Sequence, residues 1–336
     1  MTTLPRAFLT AAIGLLLAGL VSLPVFAAGQ QDTAESITVY SAGPGGLASS
    51  IAEGFEAETG ITVNLYQATT GAVLGRLEAE SANPAADVVV LASWPAGLDL
   101  VNRGWTAEYP GAALADRLHE GWNHQDQLFG YSASALGITF NTDLIDSLDG
   151  IDWSDLADEQ YADQIAIPDP AQSGSALDFL VGYVGDYGDD AWAVLQALAD
   201  NGIQMAGPNR PALDSVITGA NSLVLAGVDY MAYGAIAGGE PVDIVYAASG
   251  TVVNPRPAMI TSWTQNEAAA RQFIDYMLSD AAQQMVADVY IIPGRSDFPA
   301  HPDRVEYADI KVFDLDWDWM TANQQQINDR FQEIMR

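Results

Sequence analysis

The chain has 336 residues, 49% of them apolar, and carries 44 acidic against 12 basic residues for a formal charge of −32. Such a surface repels nucleic acid and anionic membrane, which argues against both as partners. With no cysteine, the chain has no disulfide, thiolate nucleophile, Cys metal site or lipid-acceptor cysteine. The acids are scattered along the chain and Lys311 is the only lysine, the pattern of a solvated acidic shell suited to high salt.

In chain order, Arg6 precedes an apolar run from Ala7 to Leu23, then Pro24 and the small-residue site Val25-Phe26-Ala27-Ala28. Residues 1–28 read as a secretory signal, because the apolar run of about 17 residues is at the lower limit for crossing a bilayer. Without a lipid-acceptor cysteine, a soluble periplasmic protein is expected. A polar linker, 29–36, leads to the strand Ile37 to Tyr40 and the turn Ser41-Ala42-Gly43-Pro44-Gly45-Gly46. A helix follows in which Leu47, Ile51 and Phe55 recur every four residues, ending at Gly60. Next come the strand Ile61 to Tyr66, the turn Gln67-Ala68-Thr69-Thr70-Gly71, a helix through Val73, Leu74 and Leu77, and the strand Asp87 to Leu91. This alternation predicts an α/β fold, with mostly parallel strands and helices on both faces. Ligands of such sheets sit beyond the carboxyl ends of the strands, here Ser41 and Ala42, Ala68 to Gly71, and Ser93 with Trp94.

From Ala107 to Gly130 the pattern loosens into turns. Tyr131 to Phe140 is then an extended run that leaves one lobe and enters another. The second lobe opens with the strand Ile165 to Ile167, the break Pro168-Asp169-Pro170, and Ser173-Gly174-Ser175 at the head of a helix. Helices over Asp190 to Asn201 and Pro211 to Gly219, the strand Leu223 to Val228, a helix from Tyr230 to Ala237 and the strand Val242 to Tyr246 complete it. Gly250 to Ile260, where prolines flank Arg256, reads as the return path, since proline is excluded from central strands. Helices follow over Glu267 to Leu278 and Asp280 to Ala287, and a last one starts near Met320. The expected plan is one lobe of 37–135 plus 258–336 and another of 136–257, joined by two crossing strands around a cleft.

Two turns carry the functional reading. Thr69, Thr70 and Gly71 open one helix, and Ser173, Gly174 and Ser175 open another. Each alone is an ordinary helix cap. Two in separate halves point to a shared cleft, because the free N–H groups and partial positive charge of a helix start hold anions or polar ligands. Arg256 either pairs with a ligand anion or bridges to one of the many acids. Trp94 stands out only by its place after a strand end; Trp105, Trp122, Trp192, Trp317 and Trp319 read as packing or surface-ridge residues.

Enzymatic signals are weaker. Gly43 to Ala48 fits the dinucleotide fingerprint GxGxxA, but the next strand ends in Tyr66-Gln67 where a ribose-binding acid belongs. Histidines occur only at 119, 124 and 301, and no GxSxG or HExxH appears. Asp229 and Tyr230 read as hydrogen-bonding groups rather than an acid and base pair. No catalytic residue and no cofactor is assigned.

The segments VYSAGPGG, QATTGAVLGRLEAESANPAADVVVLAS, SALGITFNTD, IAIPDPAQSGSALDFL, VDYMAYGAIAGGEPVDIVY, GTVVNPRPAMI and AAARQFIDYMLSDAAQQ jointly resemble extracytoplasmic solute-binding proteins of ABC importers. The likeness is to those with the type II periplasmic binding fold, specifically the ferric-iron-binding proteins and their sugar-phosphate and phosphonate relatives. It implies two lobes joined by crossing strands, a monomer, and partners consisting of a small solute and a membrane permease with its separate ATPase. Iron-binding members resemble one another in two adjacent tyrosines near VDYMAYG. This chain has Tyr230 and, three residues on, Tyr233, so an iron site would draw on Tyr230, Tyr233 and Asp229. Relatives that bind phosphorylated solutes are similar in using hydroxyls and helix starts, matching Ser41, Thr69, Thr70, Ser173 and Ser175 better. The expectation is capture of a small, phosphate- or phosphonate-bearing anion, with ferric iron as the alternative and an exported enzyme as the rival class.

Overall fold

The computed structural model describes residues 35–336; the expected signal at 1–28 and most of the linker lie outside them. The first part contains β1 (Ser36–Ser41), α1 (Gly45–Thr59), β2 (Thr62–Gln67), α2 (Thr70–Ala79), β3 (Val88–Val90) and α3 (Trp94–Asn102). The middle part runs through β4 (Asn123–His124), β5 (Leu128–Asn141), β6 (Ile165–Ile167), α4 (Gly174–Tyr187), α5 (Asp189–Asp200), β7 (Gln204–Met205), α6 (Asn209–Ile217) and β8 (Leu223–Val228). Then follow α7 (Asp229–Ala237), β9 (Val242–Val245), β10 (Val253–Ile260), α8 (Glu267–Met277), α9 (Asp280–Asp288), β11 (Ile292–Pro293) and α10 (Trp317–Ile334).

The strands run in the order β2-β1-β3-β10-β5-β8-β6-β7. Toward one end β1 pairs in parallel with β2 and β3, and toward the other β6 pairs in parallel with β7 and β8. Between them β10 and β5 are antiparallel to each other and to their neighbours. β5 is continuous through both halves: up to Ala135 it pairs with β10, and from Leu136 with β8 and β9. All 14 of its residues are buried.

Period-2 alternation distributes the apolar residues. Val88 and Val90 of β3 join the core under α1 and α8, with Ile51, Phe55 and Phe273, while Val89 and Leu91 face Val73, Leu77 and Trp94 on the opposite side. A third core, with Leu136, Ile165, Phe179, Leu180 and Leu225, fills the second half. Gly60 ends α1 in the left-handed region at φ 74°, its N–H donating to Glu56 O at 2.9 Å, as its position after the last apolar residue predicts.

Three features depart from sequence expectation. α3 was not expected: Ser93 caps it by accepting from the Ala96 N–H at 3.2 Å, and Pro95 sits in its first turn. β10 lies inside the strand order despite Pro255 and Pro257, and the ladder to β5 is interrupted by a register shift between Arg256 and Pro257, the kind of bulge at which proline is tolerated. Finally, Phe313, Met320, Ile327 and Phe331, from the segment expected in the first lobe, pack in the core with Phe179 and Leu180. Their apolar faces follow α4, so the C-terminal helix α10 belongs by packing with the second half while also touching α3.

Candidate functional site

Hydroxyl residues ahead of apolar helical runs produce the two expected caps. Thr69 Oγ1 accepts from the Ala72 N–H at 3.3 Å at the head of α2, and Ser173 Oγ accepts from the Ala176 N–H at 3.2 Å at the head of α4. The two helix starts converge. A cavity of about 240 Å³ lies between them, lined from the first half by Ala42, Gly43, Ala68, Thr69, Thr70 and Ala92, and from the second by Gln172 to Ser175, Pro208, Asn209, Arg210, Tyr230 and Met231, with Arg256 of the crossing strand β10. None of these sixteen residues is acidic, in a chain with 44 acids.

Arg256 reaches the cavity from the crossing strand β10. Its register partner on β5 is Ser132, and the ladder shifts register between Arg256 and Pro257. The residue is 2% exposed. Its Nη2 donates to Ser134 Oγ at 3.2 Å, its Nε has no partner, and its guanidinium carbon stands 5.4 Å from the centre of the Tyr230 ring. Among the described residues no carboxylate lies within 4.0 Å of it, so none forms the alternative salt bridge. Ser134 Oγ donates in turn to Asn254 Oδ1 at 3.1 Å, and Asn254 Nδ2 donates to Ala92 O at 3.0 Å. Because the Ala92 N–H donates to Thr70 Oγ1 at 3.3 Å, a continuous chain of hydrogen bonds joins the guanidinium to the start of α2. A buried cation without a counter-charge is costly unless an anion meets it.

The other expected residues fall in different places. Ser41 is not among the lining residues; its Oγ accepts from the Gly43 N–H at 3.1 Å. Gly71 and Ser93 line a larger hollow of about 380 Å³ between α2, α3, α4 and α10, which contains Asp99 and no Arg or Lys; its charge suits an anion less well. Trp94 is buried in the core with Val89 and Leu98. Asp229 and Tyr233 turn away from the cavity into a buried network: Asp229 Oδ2 accepts from Arg304 Nη2 at 2.8 Å and from the Tyr246 hydroxyl at 3.1 Å, and the Tyr233 and Tyr246 hydroxyls are 3.3 Å apart. Of the three residues considered for iron, Tyr230 alone lines the cavity. Burial pushes its phenol pKa up against the opposing pull of Arg256, which keeps it neutral. Among the described residues no cluster of three or more His, Asp or Glu has metal-holding geometry.

Several lining residues were not read from the sequence. Asn209 follows Pro208 at the start of α6, its amide bonded to Ser173 Oγ at 3.0 Å and Ser175 Oγ at 3.1 Å. A polar residue after proline at a helix start is the signal that would have found it. Gln172, held by Asp169 at 2.7 Å, and the Ser134 and Asn254 relay depend on contacts between distant strands.

A family model described as bacterial extracellular solute-binding protein matches residues 83–323. Iron uptake protein A1 of Synechocystis sp. is 26% identical over 281 residues, covering 76% of this chain and 75% of that protein. Iron-bound HitA from Pseudomonas aeruginosa superposes with a TM-score of 0.80 at 20% identity, over 88% of this chain and 99% of the other. AfuA from Actinobacillus pleuropneumoniae, with exogenous fructose-6-phosphate bound, superposes with a TM-score of 0.82 at 18% identity, over 90% and 98%. At these identities the two structures establish a shared fold.

Proposed function

Because the chain belongs to the bacterial extracellular solute-binding protein family, we propose that it captures a small anion bearing a phosphate or phosphonate group between its lobes. Its α/β architecture is that of the type II periplasmic binding proteins. In this reading it works in the periplasm as a binding module without a catalytic step, delivering the solute to an ABC permease driven by a separate ATPase. The observation that carries it is Arg256, a buried guanidinium with no carboxylate partner among the described residues, bordering a cavity without acids in its lining. Helix starts add about 0.3 to 1 kcal/mol each to anion binding. Hydrogen bonds and lobe closure must supply the rest of the roughly 8 kcal/mol of micromolar affinity.

Ferric iron is the second reading, favoured by the likeness to an iron uptake protein. Hard ferric iron needs several oxygen anions, and the cavity offers the neutral phenol of Tyr230. Thermal shift against methyl phosphate, phosphonates, sugar phosphates and ferric salts separates the two. A phosphate or phosphonate ligand at a hundred times its Kd is expected to stabilise the chain by about 2.7 kcal/mol. Stabilisation by ferric salts alone would overturn the anion reading.

A further inference from the structure

We propose that this cavity selects its ligand by protonation state, binding the fully ionised oxyanion head at least a hundredfold more tightly than the form that retains one proton. The inference rests on the anion reading above. A protonated phosphate oxygen is a donor and needs a strong acceptor, which an ionised carboxylate supplies. The lining has none.

The acceptor capacity of the lining hydroxyls and amides is largely engaged within the protein. Thr69 and Ser173 accept from helix N–H groups, Thr70 Oγ1 accepts from the Ala92 N–H, and Asn209 Oδ1 accepts from Ser173. Remaining side-chain acceptors are neutral oxygens such as the Gln172 carbonyl and the Tyr230 phenol. The guanidinium meanwhile retains an unpartnered Nε–H. The site therefore offers donors and positive charge, which reward the second negative charge on the ligand.

The charged and titratable groups around Arg256 are Tyr230, with Tyr131 on β5 and Asp178 on α4 close enough to interact with it electrostatically. Arg210 at the rim is paired with Asp214 at 2.7 Å, and Asp169 holds Gln172. Titration of these protein groups changes the affinity for every anion, whereas ligand protonation changes it only for ligands that titrate.

Calorimetry of the whole protein with methyl phosphate and with sulfate, between pH 5 and 8, isolates the ligand's part. Methyl phosphate has its second ionisation near pH 6 and sulfate stays doubly charged. The ester's affinity is expected to fall about tenfold per pH unit below about 6 relative to sulfate. In buffers of differing ionisation heat, ester binding is expected to release about one proton at pH 5 and about none at pH 8. Ester binding with no proton release at pH 5 overturns the selectivity while leaving the anion site standing. Binding of neither anion overturns the anion reading and the selectivity with it.

Discussion

Asp178 of α4 accepts a 2.6 Å hydrogen bond from Ser93 Oγ and a 3.2 Å hydrogen bond from the Trp94 N–H. A carboxyl group of one lobe thus occupies the helix start of the other, where an acid is favoured by the exposed N–H groups. The contact is buried, and burial pushes the Asp178 pKa well above its ordinary 3.8.

That shift sets a sign. Above pH 3.8 the folded chain keeps a proton that the unfolded chain has released, so this group makes stability fall as pH rises toward its folded pKa. Below 3.8 it contributes no slope. Asp178→Asn should flatten the dependence: urea midpoints of the variant at pH 4 and pH 7 are expected to change in its favour as pH rises. An unaltered difference between variant and parent across that range counts against a buried titrating Asp178.

Gly174 bears on lobe closure. A Cβ there would stand 2.7 Å from Thr70 Oγ1 and 2.9 Å from Ala92 O, whereas one on Gly75 would meet nothing within 4 Å. Gly174→Ala is therefore expected to hold the lobes apart and weaken anion binding by about tenfold, or 1.4 kcal/mol, with a larger radius of gyration in solution scattering. Gly75→Ala should leave both unchanged. Equal affinities for the two variants would show that closure tolerates the extra methyl.

For Arg256, affinity and stability should part ways. Arg256→Gln removes charge-assisted hydrogen bonds and should cost about 1.5 to 3 kcal/mol of anion binding. The unliganded fold should lose less than this, because the one side-chain hydrogen bond given up, to Ser134, is within reach of replacement by the glutamine amide and no ion pair is broken. A large fall in unliganded stability would mean that the guanidinium is structural.

The Asp229 and Arg304 pair predicts the opposite. Both side chains are 0% exposed and 2.8 Å apart, so Arg304→Met leaves a buried carboxylate uncompensated and should cost about 3 to 5 kcal/mol. Asp229→Asn in the same chain should restore part of this in a double-mutant cycle. Additive losses would show that the two side chains do not stabilise each other.

What the sequence made legible was local. Thr69 and Ser173 announce themselves as small hydroxyl residues ahead of apolar helical runs, and β5 as an extended run, Tyr131 to Phe140, leading from one lobe into the other. The partnership of Ser93 with Asp178, 85 residues on, and of Ala92 with Asn254, 162 residues on, leaves no local pattern. For α3 the start signals Ser93 and Pro95 are present in the sequence, directly after the strand expected over Asp87 to Leu91. On α7, the spacing of four residues puts Asp229 and Tyr233 on one face. Helical rotation carries Tyr230 away from that face to the cavity, so adjacency in sequence suggested a convergence that the helix forbids.

β5 passes between the two halves as one buried strand, bonded to β10 up to Ala135 and to β8 and β9 from Leu136. A rotation of one half against the other would therefore fall on the Ala135–Leu136 step, where β5 exchanges β10 for β8 as its partner.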